Sequence, residues 1–279
     1  MRARNKAQIA LTYFLLISLG LVFVFPFFWM ISTALKPIEK TMSITPHLLV
    51  LPLQFKNFWK CLNYENFTFT VYARNTLYLC FLSVAGIVLS SSYVAYGFSR
   101  VRWKGRDALF LMTLSTMMIP FPVLMIPLYS LFRRYGWVGS FKPLWVPCFF
   151  GGAFSIFLLT QFFKTIPHEL TEAAYVDGAG DFRIYWQIIL PLAKPALLVV
   201  ALFQFMGTWN DFLGPLIYLP DQSTFTLAVG LQFFQSQHGG TEWNLLMAAS
   251  TLVILPVMIL FFLTQKSFVE GIALTGLKG

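Results

Sequence analysis

Long apolar runs set the pattern of this chain. They cover roughly Ile9 to Ser32, Val71 to Phe98, Ala108 to Phe132, Leu144 to Phe163, Ala196 to Tyr218 and Leu245 to Thr264. Each approaches or exceeds the about 20 residues with which an α-helix crosses a bilayer core. Membrane-spanning strands need only about ten residues and alternate in polarity, so runs this long and continuous predict helices. Gly151 and Gly152 weaken the fourth run. The first is flanked by Arg2, Arg4 and Lys6 and by Ser32-Thr33-Ala34, in the manner of a cleaved leader. Its apolar stretch continues through Pro26, Phe27, Phe28 and Trp29, beyond the about 7–15 residues of a signal core, which predicts a retained anchor.

Two polar interruptions stand out. The stretch Pro167 to Pro195 predicts a helical hairpin. Pro167 suits a first helical turn, and Gly178 tolerates the left-handed conformation of a helix end. Ala173 and Ala174 offer small side chains past which a partner could approach the backbone. Asp181 is placed to cap a second helix, with Phe182, Tyr185, Trp186, Ile188 and Ile189 forming an apolar face until Pro191 and Pro195 end it. The other interruption, 33–70, is broken by Pro37, Pro46 and Pro52. Its Phe55, Phe58, Trp59, Tyr64, Phe67 and Phe69 supply apolar surface for a folded cap or for a docking partner.

Composition fits this pattern. Of 279 residues, 57% are hydrophobic and 11% charged, far too few polar side chains to cover a water-soluble globule. The expected fold is an all-α integral membrane protein of six transmembrane helices. With the N-terminus inside, twelve Lys and Arg fall on the cytoplasmic side and eight outside, and Arg100, Arg102, Lys104 and Arg106 weigh most in that assignment. Arg133 and Arg134 run against it. The reading gives a cytoplasmic N-terminus at 1–8 and a single transmembrane domain at 9–279. Within it lie an extracytoplasmic loop at 33–70, a cytoplasmic loop at 165–195 and a cytoplasmic tail at 267–279. The net charge of +9 belongs to span ends facing anionic lipid, with no basic face suited to nucleic acid.

Candidate chemistry is sparse. Cys61, Cys80 and Cys148 form no metal-ligand or redox spacing, and His47, His168 and His238 are scattered, so no catalytic set is expected. Gly271 to Lys278 approaches a phosphate-binding loop, but Leu277 stands where Lys is required, so the chain is not expected to bind ATP; the residues call for no other cofactor and no metal. The fifth run carries Gln204, Thr208, Trp209, Asn210 and Asp211. An intramembrane acid usually faces a cavity, and an aromatic face beside amide and carboxylate groups suits a sugar, so Trp209, Asn210 and Asp211 are substrate-path candidates. The alternative is an interfacial cluster that fixes helix packing. Glu242, Trp243 and Asn244 repeat the theme weakly.

Glu172, Ala173, Ala174, then Gly178, then Ile188, Leu190 and Pro191 match the EAA loop of ABC importer permeases, and the chain resembles that family over nearly its whole length. Trp209-Asn210-Asp211 with Pro215-Leu216, the Glu242-Trp243-Asn244 segment and the ending Glu270 to Gly279 resemble the carbohydrate-uptake branch, similar to the maltose-type subunit. The resemblance implies the type I importer fold, with both termini inside. It implies that Glu172, Ala173, Ala174, Asp177 and Gly178, with Ile188, Leu190 and Pro191, transmit force from ATPases. It further implies a second permease, two ATPase subunits carrying ATP and Mg, an extracytoplasmic binding protein and a bacterial cytoplasmic membrane. Import of glycerol phosphate, amino acids or peptides remains open on these residues, as does an ion-coupled secondary transporter centred on Asp211 or a purely scaffolding role.

Overall fold

The computed structural model describes residues 6–43, 45, 47–64, 67–235 and 240–276. Expectations resting on Arg2, Arg4, Pro46, His238 and the tail residues 277–279 therefore lie outside the described residues. The chain divides into two units, 1–69 with 231–256, and 70–230 with 257–279.

In the first unit, helix α1 (Lys6–Ala34) contains Pro26 and corresponds to the first apolar run. Past it, the loop folds around α2 (Lys56–Lys60) and a minimal hairpin of β1 (Asn63–Tyr64) and β2 (Phe67–Thr68). The expected aromatic packing is only partly realised, since Phe55 and Trp59 are exposed. Polar side chains do much of the holding. Asn57 is buried and donates through Nδ2 to the carbonyls of Ala34 (2.8 Å) and Lys36 (3.0 Å), fixing the turn that leaves α1. Lys36 is itself buried, its Nζ 4.4 Å from the ring centroid of Trp29, where the cation meets the negative face of the indole. Tyr64 stacks on Phe234 at 5.1 Å.

The second unit opens with α3 (Phe69–Ser99), 31 residues without a break, as its apolar run predicts. Then come α4 (Arg106–Ser115), α5 (Phe121–Arg134), the short α6 (Lys142–Trp145), α7 (Ala153–Thr165) and α8 (His168–Val176). Next are α9 (Asp181–Ile184), α10 (Leu190–Leu192), α11 (Lys194–Trp209), α12 (Leu213–Tyr218) and α13 (Leu227–Gly230). The last helix, α14 (Trp243–Gly276), contains Pro256, where the two units divide.

Irregular backbone interrupts three of the expected spans, although the fourth still qualifies as one span over Lys142–Thr165. The third run is two helices bent by 98°, because Ile119 before Pro120 takes an extended ψ of 113° and proline supplies no N–H to continue a helix. The fourth is a 3-10 turn at Val146–Phe150, then Gly151 at φ +86°, before α7 begins. The fifth stops at Trp209 instead of reaching Tyr218, and α11 meets the preceding helix at 80°. Among the described residues, four helices are long and apolar enough to cross a membrane, or up to six if each bent pair is one span.

Irregular backbone at membrane depth must be satisfied by protein groups, because lipid offers none. Helix α3 supplies them. Ser90 donates to the carbonyl of Cys148 (2.9 Å), and Ser91 accepts from the N–H of Gly152 (3.1 Å). Gly86 lets the ring of Phe149 come so close that a Cβ there would sit 2.5 Å from it. Toward the other end, Asn75 donates to the carbonyls of Ser223 and Phe225, and Thr76 accepts from Leu227. The buried core of this unit joins α3 (Ile87, Ala95, Tyr96), α7 (Leu159, Phe163), the hairpin (Ala174, Ile184, Tyr185, Ile189) and α11 (Ala196, Val200).

Candidate coupling site

The polar stretch after α7 folds as a hairpin of two short helical arms. Pro167 stands at the N-cap of α8, and the arm ends on Gly178 at φ +79°. Gly178 N–H reaches the carbonyl of Tyr175 (3.0 Å) and Ala179 N–H that of Ala174 (2.9 Å), the paired bonds of a Schellman turn. A Cβ on Gly178 would meet no atom within 4 Å, so its requirement there is conformational, not steric.

The second arm differs from expectation in three ways. Asp181 does not cap it, since Gly180 occupies the cap position without a side-chain bond. Instead, Asp181 Oδ1 accepts from Tyr175 Oη of α8 (2.6 Å) and from Tyr96 Oη of α3 (3.0 Å). The buried stripe is Ile184, Tyr185 and Ile189, whereas Phe182 and Trp186 stack on each other and remain exposed. Pro191 does not end the arm. Tyr185–Ile189 widens into a π turn, with Leu190 N–H bonded to the carbonyl of Tyr185, and α10 continues through the proline. The widened turn sits where the ring of Pro191 would collide with the carbonyl of Gln187 in a regular helix.

The hairpin is anchored from beneath by residues distant in sequence. Tyr185 Oη and Ser92 Oγ lie 2.8 Å apart. Arg100, just past the end of α3, is buried; it donates through Nη2 to the carbonyls of Phe163 and Ile166 and through Nη1 to Nδ1 of His168 (3.3 Å). A cation on the last carbonyls of α7 suits the helix dipole and fixes the angle at which α8 leaves. Burial lowers the Arg100 pKa from its ordinary value. The hydrogen bond to Asp181 holds the Tyr175 phenol above its usual range, with burial adding to the effect, so it remains a donor.

Of the residues expected to meet a partner, Glu172, Ala173, Asp177, Gly178 and Pro191 are exposed, Ile188 and Leu190 are half-buried, and Ala174 is buried beneath the arm. An apolar outer surface accompanies them: Val176 is 87% exposed, Phe182 68% and Trp186 55%. Sequence reasoning missed Tyr96, Ser92 and Arg100, although the basic run containing Arg100 was visible.

The substrate-path candidates lie at the break after α11. Trp209 is buried and stacks on Phe205 at 5.3 Å, so its face is occupied by its own helix. Asn210 is exposed, with Nδ2 bonded to the carbonyl of Met206 (2.9 Å). Asp211 is half-buried and accepts from Gly214 N–H (3.1 Å), opening α12. A Cβ on Gly214 would lie 2.5 Å from Asp211 Oδ2 and 2.9 Å from Leu144.

Residues 83–273 match the model of a family described as the binding-protein-dependent transport system inner membrane component. Over 280 aligned residues, the chain is 32% identical to the arabinooligosaccharides transport system permease protein of Bacillus subtilis, covering 98% of this chain and 96% of that one. It is 31% identical over 264 residues to the trehalose/maltose transport system permease protein of Thermococcus litoralis, covering 94% of each chain. Among solved structures, a chain of a bacterial ABC transporter involved in the import of the acidic polysaccharide alginate superposes with a TM-score of 0.81 at 22% identity. That superposition covers 95% of this chain and 99% of the other, a likeness of fold.

Proposed function

Because the chain belongs to the family of binding-protein-dependent inner-membrane transport components, we propose that it is the permease subunit of an ATP-driven ABC importer carrying a sugar or oligosaccharide. The single observation that carries this reading is the hairpin: a short helix closed by Gly178, presenting Glu172, Ala173 and Asp177 beside an apolar outer face, on arms rooted in the membrane helices. The oligosaccharide transport named for the relatives supports the substrate class.

In this reading the chain crosses a bacterial cytoplasmic membrane six times, each bent pair counting as one span, with both termini and the hairpin inside. A homologous second permease completes the pathway, and an extracytoplasmic binding protein delivers the solute. Two ATPase subunits bind ATP and Mg and receive Glu172, Ala173, Ala174, Asp177 and Gly178, backed by Ile188, Leu190 and Pro191. Their closure moves the docked hairpins and alternates access. The chain itself does no covalent chemistry. The solute passes the break after α11, where Asn210 offers its amide and Trp209 and Asp211 shape the turn.

The test is uptake into proteoliposomes holding this chain with its partner subunits, comparing wild type with Gly178→Asp. A Cβ at φ +79° costs about 1–2 kcal/mol and opens the helix end without touching the solute path. ATP-driven oligosaccharide uptake should be lost and the ATPase subunits released from the membrane. Uptake that persists and follows a proton or sodium gradient would overturn the reading.

A further inference from the structure

We propose that the Asp181 carboxylate is the tie through which movement of the hairpin's first arm reaches α3, with Tyr175 and Tyr96 as its two positioning partners; the proposal rests on the permease reading above. Tyr175 and Tyr96 belong to different helices, yet both hydroxyls donate to the same oxygen, Oδ1, at 2.6 and 3.0 Å. One carboxylate thus closes a bridge from α8 to α3. Hydrogen bonds to an ionised acceptor are stronger than neutral ones and fix direction as well as distance.

Packing alone gives α8 little hold on the membrane helices, since its buried residues are Thr171 and Ala174, both small. A helix so lightly buried slides or tilts unless polar bonds fix it: Arg100 holds its first residue, His168, and the Asp181 carboxylate holds its last turn. Tyr175 projects from its last turn to Asp181, and Tyr96 meets that carboxylate from the buried side, 3% exposed. Beyond Tyr96, the same helix holds the irregular backbone before α7 through Ser90, Ser91 and the close approach at Gly86. A displacement of α8 therefore has a continuous route: Tyr175, Asp181, Tyr96, α3, and the Cys148 to Gly152 turn.

The experiment uses the assembled complex in proteoliposomes with its ATPase subunits and binding protein, and measures ATP hydrolysed and solute imported in the same vesicles. Wild type fixes the ratio; if it shows no ATP-dependent uptake, the permease reading itself fails. Tyr96→Phe and Tyr175→Phe each remove one hydroxyl. Each is expected to keep the ATPase subunits bound and hydrolysis within about twofold, while uptake per ATP falls about tenfold, the scale of one hydrogen bond to a charged group. The double variant should fall no further than either single one, because cutting the bridge at one end already opens it. Asp181→Asn, which keeps an acceptor oxygen, should retain much of the coupling that Asp181→Ala loses. A purely structural role predicts otherwise: hydrolysis and uptake falling in step, with additive losses in the double variant. Either result overturns the proposal. Should Tyr96→Phe assemble poorly, Tyr175→Phe on the exposed end of the bridge decides alone.

Discussion

At the residue scale, a few side chains hold positions that no neighbour in sequence announces. Gly86 is one: a Cβ there would lie 2.5 Å from the Phe149 ring. Gly86→Ala is therefore expected to destabilise by about 1–3 kcal/mol, an overpacking cost read as a lower melting temperature in detergent. Phe149→Leu in the same chain should recover part of that loss. Arg100 is another. Arg100→Lys keeps the charge but lacks the planar fork that spans the carbonyls of Phe163 and Ile166 and the ring of His168. It should lower stability almost as much as Arg100→Met and shift protease cleavage toward the start of α8. The hairpin's ends were legible in the sequence because Pro167 and Gly178 act locally, through their own φ angles. Tyr96, Ser92 and Arg100 were not, because each meets its partner across more than sixty residues of chain. Asp181 was misread in part for the same reason: a local cap was the nearest use for it, and it accepts instead from Tyr175 six residues back and from Tyr96 85 residues away.

At the element scale, the runs were visible, and so was the weak point at Gly151-Gly152, but the other interruptions were not. Hydropathy sums over a window, so Pro120 and Asn210 vanish into apolar surroundings although each stops a helix. The stopped backbone needs partners, and α3 carries them as a stripe of Ser and Gly on one face. Ser90→Ala and Ser91→Ala should each cost about 0.6–1.7 kcal/mol, because no water at that depth replaces the lost bond. Calorimetry or a fluorescence melt should show each falling by a few degrees, and the pair by more than either. The π turn before Pro191 belongs to this scale too. The proline is tolerated because Tyr185–Ile189 already departs from the regular ladder, so a sequence reader who ends a helix at every proline ends this one too early.

At the scale of the whole molecule, the membrane class followed from composition and the family from the hairpin and the two aromatic-acid patches, because both are carried by residue types in sequence order. Burial is a different matter, since it depends on which face meets which neighbour. Along the most apolar window of α1 no residue is buried, whereas the corresponding window of α3 is 39% buried. The first helix is thus made by the bilayer and not by its own chain. That has a consequence for the protein's life in the cell. A helix whose most apolar stretch is bare presents the same surface to a membrane quality-control protease as to a rightful neighbour, so turnover will register assembly where folding does not. In a pulse-chase, the half-life of this chain synthesised alone is expected to shorten severalfold against the same chain made with its partners. Deleting 6–34 should abolish that difference.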